Sequence, residues 1–351
     1  APYATEYHWR KPYEIFRKLL EVEGVQIKLK EKPKDFFFHY KKKLESCRFD
    51  AVAGGLQKFL EEIVVEWVQN AIEETGVRNI VFSGGVSMNV KAMMEVSKIP
   101  QLKTLHVPPS GADESLCIGA AYHESSLIMP HTSIKPVNNA YLGKGYSQAE
   151  IDAFIAANNL GAKYKIVEDV SSDVIADMLD KNAVIGIFFG KMEFGARALG
   201  ARSIIADPRK RDTVKRINYK IKNRDFWMPF APVVLAERFD DYFENEKDIT
   251  SPFMTIGFET TKLGQSHLKA ALHQADLTGR PQRITRDYNS KYYDIVKSFE
   301  QLTGVGALLN TSYNLHGLPI AMTPADALFV FENSGLDALV LENTMLKKVI
   351  D

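Results

Sequence analysis

Residues 183–235 read AVIGIFFGKMEFGARALGARSIIADPRKRDTVKRINYKIKNRDFWMPFAPVVL, an apolar run that stops at Gly190 and leads straight into a strongly basic stretch. Ala183 to Phe189 has the length and composition of a buried strand. From Lys191 onward the cations are Lys191, Arg197, Arg202, Arg209, Lys210, Arg211, Lys215, Arg216, Lys220, Lys222 and Arg224, against Glu193, Asp207, Asp212 and Asp225. Gly195, Gly200, Pro208, Pro229 and Pro232 interrupt helical periodicity, so the arginines are expected on shaped loops rather than on a solvated helix face. Guanidinium groups held by turns match phosphate and carboxylate oxygens, where a charge-assisted hydrogen bond contributes roughly 1.5–3 kcal/mol. One reading is an oxyanion or nucleotide pocket at a strand end; the other is a basic patch that solubilises the chain or touches nucleic acid.

The rest of the chain restricts that choice. Its 351 residues predict two domains. Formal net charge is zero, so the basic stretch is local, and a nucleic-acid-binding protein usually carries a global excess of cations. Nucleic acid is therefore an unlikely partner on charge alone. Cys47 and Cys117 are the only cysteines, which points to a reducing compartment and away from a disulfide scaffold. The apolar runs are short, so no membrane span is expected, and residues 1–20 lack the apolar centre of a signal peptide. A cytoplasmic protein follows. The chain opens at Ala1 in mid-pattern, which reads as a fragment or a processed chain.

Outward from the basic stretch, residues 12–45 read as surface helix and connector around Phe36–Phe38. Phe49–Thr75 carries apolar residues at helical spacing and closes at Gly76. Asn79-Ile-Val-Phe-Ser-Gly-Gly-Val-Ser-Met-Asn89 reads as a strand, a Gly84-Gly85 turn and a helix from about Ser87. Backbone N–H groups there can face a phosphate or ribose, with Asn89 offering an amide, or the motif is a plain strand-to-helix turn. After a strand at Thr104–Val107, Asp113 opens a helix whose Gly119, Ala120 and Ala121 suit close packing on a sheet. Asp113 is either an N-cap or a carboxylate for a metal or a substrate hydroxyl. Residues 136–150 form the linker between domains at 1–135 and 151–351. Beyond it, helices are expected at Ser147–Asn158, Ser171–Lys181, 291–303 and after Thr323-Pro324. Strands are expected at Tyr164–Val167, Phe253–Glu259, Ala307–Asn314 and Leu336–Leu341, with Arg280 in the turn-rich HQADLTGRPQR at 273–283.

At Gly190-Lys-Met-Glu-Phe-Gly-Ala-Arg-Ala-Leu-Gly-Ala-Arg-Ser-Ile204 the sequence resembles the O-carbamoyltransferases of nodulation-factor and antibiotic biosynthesis. SGGV with Asn89, the Asp113 helix, YLG at 141–143, ADPR at 206–209, MPFAPVVL at 228–235, LNTSYN at 309–314 and GLDALVLEN at 335–343 extend the likeness from about residue 50 onward. The resemblance implies an α/β chain, the second lobe of an actin-like (ASKHA) ATP- and metal-binding domain followed by a YrdC-like α/β domain. It implies that carbamoyl phosphate and ATP give a carbamoyladenylate, whose carbamoyl group passes to the hydroxyl of a small-molecule acceptor.

Lys222, Arg224, Ser312 and Asn314 match the K-x-R…S-x-N tetrad of YrdC-like proteins. Two cations there neutralise triphosphate and carbamoyl phosphate while a hydroxyl and an amide orient them. Arg197, Arg202, Arg280 and Lys191 are expected to bind anions with them, and Asn310 to orient. The resemblance also implies Mg2+ with ATP, and Fe or Zn in the complete enzyme with Asp113 as one ligand. The family's H-x-x-x-H metal pair has no counterpart among the eight histidines. The first lobe is therefore expected in a longer form of this chain or in a separate polypeptide, and the metal to be absent here. Lys191, Ala196 and Ala201 stand where relatives commonly have Arg, Pro and Asn, and Leu318 where they have Glu; Lys191 keeps charge without the bidentate fork. A non-catalytic nucleotide-binding fragment or partner subunit is the second reading, and a YrdC-like RNA-binding protein the third.

Overall fold

The computed structural model describes residues 4–30, 32–135, 137, 139–222, 225 and 227–348. It divides into two compact units, Ala1–Val107 with Glu246–Ile249, and Pro108–Asn245 with Thr250–Asp351.

The first unit runs α1 (Glu6–Arg17), β1 (Leu20–Glu23), β2 (Gln26–Leu29), α2 (Phe36–Lys43), α3 (Phe49–Thr75), β3 (Asn79–Val81), α4 (Val90–Ser97) and β4 (Thr104–His106). The expected connector over 12–45 is thus a helix, an antiparallel hairpin and a second helix. α3 occupies the expected span and ends at Gly76, whose φ of +70° is open to glycine at low cost. Its Phe59, Ile63, Val64, Val68 and Ile72 line one helical face and are buried. Phe16 of α1 joins Phe59 and Ile63 in one apolar cluster. β3 and β4 form a parallel pair. α4 starts at Val90, not Ser87: Gly85–Met88 is a tight 3-10 turn, and Asn89 caps α4 by accepting the Ala92 N–H at 3.1 Å.

The second unit runs α5 (Leu116–Ile128), α6 (Gln148–Ala157), β5 (Tyr164–Val167), α7 (Ser172–Asp180), β6 (Ile185–Phe188), β7 (Arg202–Ala206), α8 (Asp212–Ile217), β8 (Ala231–Leu235), α9 (Phe239–Tyr242), α10 (Lys262–His267), β9 (Gln282–Ile284), α11 (Ser290–Thr303), β10 (Ala307–Ser312), α12 (Pro324–Glu332), β11 (Ala338–Leu341) and β12 (Thr344–Lys348). The strands make one sheet in the order β5-β12-β11-β6-β7-β10-β8-β9. Only β11–β6 and β8–β9 are parallel pairs. Every residue of β6, β7, β8 and β11 is buried, as strands covered on both faces must be. Phe188, Ile204, Leu309, Tyr313, Leu339 and Leu341 meet in the main core. Thr323 and Asp326 form a capping box around Pro324 at the start of α12.

Three expectations are corrected here. Phe253–Glu259 is not a strand: Met254 takes φ +57°, and only an isolated bridge joins Phe258 to Gly279. The basic stretch is not all loop, since Arg202 begins β7 and Lys215 and Arg216 lie on α8. The Gly119, Ala120 and Ala121 stripe packs on no sheet, because α5 buries none of its residues. Among the described residues no helix is long and apolar enough to cross a membrane, and Cys47 and Cys117 are free thiols.

Two glycines of this unit give opposite predictions. A Cβ on Gly264 would stand 2.2 Å from the Tyr242 carbonyl oxygen, a backbone atom that cannot rotate away. Gly264→Ala should destabilise by about 1–3 kcal/mol. A Cβ on Gly119 would meet nothing within 4 Å, in mid-helix, so Gly119→Ala should be neutral or stabilise by about 0.5–1 kcal/mol. Urea titration followed by circular dichroism should show the midpoint fall for the first and hold or rise for the second.

Candidate functional site

β10 lies between β7 and β8, with Asn310 opposite Ile205 on one side and Ala231 on the other. The period of two along a strand sends Leu309 and Tyr313 into the core and leaves Asn310, Ser312 and Asn314 to the opposite side. Lys222 arrives from a π turn at Asn218–Lys222 and is buried. Its Nζ donates to Asn314 Oδ1 at 2.6 Å, to the Asn314 carbonyl at 2.9 Å, to Ser312 Oγ at 3.2 Å and to the Ser312 carbonyl. Ser312 Oγ donates to Asn314 Oδ1 at 2.6 Å, and the Asn314 amide donates to the Leu318 carbonyl at 2.5 Å. The structure therefore brings together Lys222, Ser312 and Asn314, distant in sequence, as one hydrogen-bonded group. Arg224 lies outside the described residues.

About two residues back along the strand, roughly 7 Å at the usual rise, Asn310 donates to the Ala198 carbonyl at 2.8 Å. That contact fixes the β6–β7 loop beside the Lys222 group. Arg197, next to Ala198, makes no hydrogen bond or ion pair among the described residues, and its Nε is buried without a partner. Burial pushes its guanidinium below the ordinary arginine range. Lys191 is exposed on the same loop and is likewise unpaired among the described residues. Arg280 is half-buried in the turn before β9.

Three other arginines of the stretch, Arg202, Arg209 and Arg216, are engaged internally, whereas Arg211 is exposed. Arg202 is fully buried and donates to the carbonyls of Phe189 at 2.8 Å, Ala201 at 3.0 Å, Gly190 at 3.2 Å and Lys144 at 3.4 Å. Its guanidinium stacks 3.5 Å above the Phe188 ring, and burial pushes its pKa down to about 10 against the pull of Glu193 and Glu342. Arg209 grips Asp207 and Asp180 at 2.7 and 2.5 Å. Arg216 Nη2 donates to both Asp337 carboxylate oxygens at 2.6 and 2.5 Å, and its Nη1 to the Asn182 carbonyl at 2.6 Å. Sequence reasoning could not separate these from Arg197, because their carboxylate and carbonyl partners come from other elements.

Four residues of the loop's surroundings escaped the sequence reading. Glu193 is buried with Oε1 accepting the N–H groups of Leu199, Ala201 and Arg202 at 2.7, 3.2 and 3.2 Å. Gln282 and Tyr141 donate to the Leu199 carbonyl at 2.9 and 2.7 Å. Tyr292 lies under Gly200, where φ is +103° and a Cβ would come within 2.0 Å of its ring. A lone acid among the cations and glycines of the quoted loop was the one available signal.

In the first unit, Gly84 takes φ +98° and a Cβ on either Gly84 or Gly85 would meet nothing within 4 Å, so the turn is open. Asn89 is occupied: beyond its cap it exchanges amide hydrogen bonds with Gln57 at 2.8 and 3.0 Å. In the second unit, Asp113 is exposed at the start of a 3-10 turn leading into α5. Among the described residues no three His, Cys, Asp or Glu side chains stand together to hold a metal ion. Iron or zinc needs several such ligands, so the residues present do not fit that metal.

Residues 5–122 match the family model described as Carbamoyltransferase N-terminus, and residues 176–348 the one described as Carbamoyltransferase C-terminus. The chain belongs to the carbamoyltransferase family. A Methanocaldococcus jannaschii protein is 32% identical over 345 residues, covering 97% of this chain and 56% of that protein. The nodulation protein NolNO of Sinorhizobium fredii is 30% identical over 354 residues, covering 99% of this chain and 52% of the relative. This family member thus spans about half the length of the curated relatives it matches. A crystal structure of full-length HypF in a phosphate- and nucleotide-bound form is 16% identical, with a TM-score of 0.36 over 52% of this chain and 26% of that one.

The sorting of arginines is testable by stability alone. Arg202→Ala strips donors from four carbonyls and should cost about 2–4 kcal/mol. Arg197→Ala removes a group that holds nothing in the fold and should stay within about 0.5 kcal/mol of the parent. Thermal unfolding of both variants by calorimetry checks the difference.

Proposed function

We propose that this chain catalyses ATP-dependent activation of a carbamoyl group in its second unit, as a YrdC-like domain. Its first unit then belongs to the second lobe of an actin-like domain, in which the complete protein passes the carbamoyl group to a substrate hydroxyl. The observation that carries the reading is the Lys222–Ser312–Asn314 group on the strand whose Asn310 holds the loop that carries Arg197, a guanidinium without a partner among the described residues, while Arg202, Arg209 and Arg216 are engaged internally. A buried ammonium and a desolvated guanidinium suit two anionic substrates that meet in one place.

The chemistry balances as follows. Water releases inorganic phosphate from carbamoyl phosphate and leaves carbamate. A carbamate oxygen attacks the α-phosphorus of ATP, the new P–O bond forms as the bond to the β-phosphate breaks, and pyrophosphate departs with its charge. Lys222 and Arg197 counter the charge on the incoming and leaving oxygens, Arg224 and Arg280 add to that field, and Ser312, Asn314 and Asn310 hold the reactants in line. Arg202 holds the loop rather than the ligand. Mg2+ would accompany ATP; no step here runs through iron or zinc. The open Gly84–Gly85 turn is the nucleotide-facing element of the first unit, with Asn89 shaping it. Half the length of the relatives lies beyond this chain's span, so transfer to the acceptor is assigned to the whole protein.

The chain should exchange labelled pyrophosphate into ATP only when carbamoyl phosphate is present. Lys222→Ala should lower that exchange about 100-fold or more. Exchange that ignores carbamoyl phosphate, or that survives Lys222→Ala, counts against adenylate formation. ATP binding with no exchange under any condition selects the non-catalytic nucleotide-binding reading instead.

A further inference from the structure

The β6–β7 loop is closed on itself by one buried carboxylate. Glu193 Oε1 gathers the N–H groups of Leu199, Ala201 and Arg202 at 2.7, 3.2 and 3.2 Å, so residues 193–202 form a ring around a single oxygen. The carbonyl side of the same arc is held from elsewhere: Ala198 by Asn310 at 2.8 Å, and Leu199 by Gln282 at 2.9 Å and Tyr141 at 2.7 Å. Gly200 N–H donates to Ser203 Oγ at 3.0 Å, and Phe194 N–H to the Ala140 carbonyl at 2.6 Å. Asn289 donates to Tyr141 Oη at 3.0 Å, which orients that hydroxyl in turn. With this backbone so held, the Arg197 side chain is the cation of the ring that has no partner among the described residues.

Such an arrangement is costly as packing alone. Glu193 sits in a buried site, and burial raises its carboxyl above the ordinary range although its own N–H, those of Leu199 and Arg202, and the Arg202 charge pull it down. Its Oε2, Gln282 Oε1, Tyr292 Oη and Asn310 Oδ1 are buried without partners, and a buried polar group left unpaired costs about 1–3 kcal/mol. A loop that served only to join two strands would gain by replacing these groups with apolar ones. A loop that must present one guanidinium in a fixed place gains from a rigid frame, since a misplacement of about 1 Å weakens charge-assisted contacts sharply.

We infer that Glu193 is a positioning residue: its carboxylate sets the shape of the 193–202 ring and thereby aims Arg197 at the substrate anion. Tyr141 acts in the same frame through the Leu199 carbonyl. The inference rests on the reading of Arg197 as an anion-binding group.

A double-mutant cycle tests it on the full chain, with carbamoyl phosphate as the titrant in calorimetry and thermal unfolding run alongside. Arg197→Ala should weaken binding about 10- to 100-fold. Glu193→Ala should weaken it about tenfold, Glu193→Gln should recover most of that loss because its amide oxygen still accepts, and Glu193→Ala in the Arg197→Ala background should add almost nothing. Losses that multiply in the double variant, or a Glu193→Ala protein that binds like the parent, overturn the positioning role. If Arg197→Ala itself binds like the parent, the anion-binding reading fails first and the positioning role falls with it. Should Glu193→Ala fail to fold, Tyr141→Phe carries the same cycle with one hydroxyl removed. Its expected loss is about threefold in the parent and none beside Arg197→Ala; equal losses in both backgrounds overturn the role.

Discussion

The second unit turns on a guanidinium placed where a charge is least welcome. Arg202 sits at the first position of β7, opposite Phe188 at the last position of β6, in the middle of an eight-stranded sheet. A lone ion there would cost several kcal/mol. The cost is offset by four carbonyls, by the face of Phe188 and by the nearby Glu193 and Glu342 carboxylates. Three of those carbonyls, from Phe189, Gly190 and Ala201, belong to the two ends of the loop, so the same hydrogen bonds that satisfy the ion also close the loop. Glu342 adds a second closure by accepting the Gly190 N–H at 2.5 Å while pairing with Lys291 at 2.6 Å.

Arginine and lysine divide the labour of the basic stretch along lines set by their shapes. The planar fork suits fixed carboxylates and paired carbonyls, and Arg202, Arg209 and Arg216 are all used in that way. The ammonium of Lys222 is compact and can donate in several directions, which fits a corner where a backbone carbonyl, a hydroxyl and an amide oxygen converge. Net charge in the stretch is therefore a poor guide to its function: Arg202, Arg209 and Arg216 neutralise acids or carbonyls of the same chain, and the free anion-binding capacity is smaller than the count of cations suggests.

Much of the scaffold was legible before any coordinates. Periodicity marked α3 to the residue, Thr323-Pro324 marked the start of α12, and an apolar run marked β6. β7 and β8 were hidden because their residues sit inside motifs read for charge and proline, and β8, one strand in from the sheet edge, carries Pro232. The Phe253–Glu259 segment failed in the other direction. Its apolar content is real, with Phe253, Met254, Ile256 and Phe258 all buried, but a left-handed residue at Met254 breaks the ladder and the segment is buried as irregular chain. α5 shows a third kind of miss: a small-residue stripe states what a helix could pack against, and says nothing of whether a partner is there.

The site divides along the same line. Ser312 and Asn314 were named through resemblance and Asn310 beside them, and the strand supplies the physical reason: alternate polar residues at the end of an apolar strand share one side of the sheet. The pairings with β7 and β8 fix that register, and a slip of one residue would turn the three polar groups into the core and expel Leu309 and Tyr313. Lys222 was legible only through resemblance, since a lysine eighty-eight positions before Asn310 has no local signal that ties it to the strand. Glu193 had a signal of the wrong kind: an acid among cations reads as a neutralising partner, whereas its oxygen is bound to backbone N–H groups. Among the arginines, what distinguishes a ligand-binding group from a structural one is where the acceptors of the folded chain run out. Along this loop they run out at Arg197, because the sheet, the carboxylate of Glu193 and the amides of Gln282 and Asn310 have already claimed the backbone on either side of it.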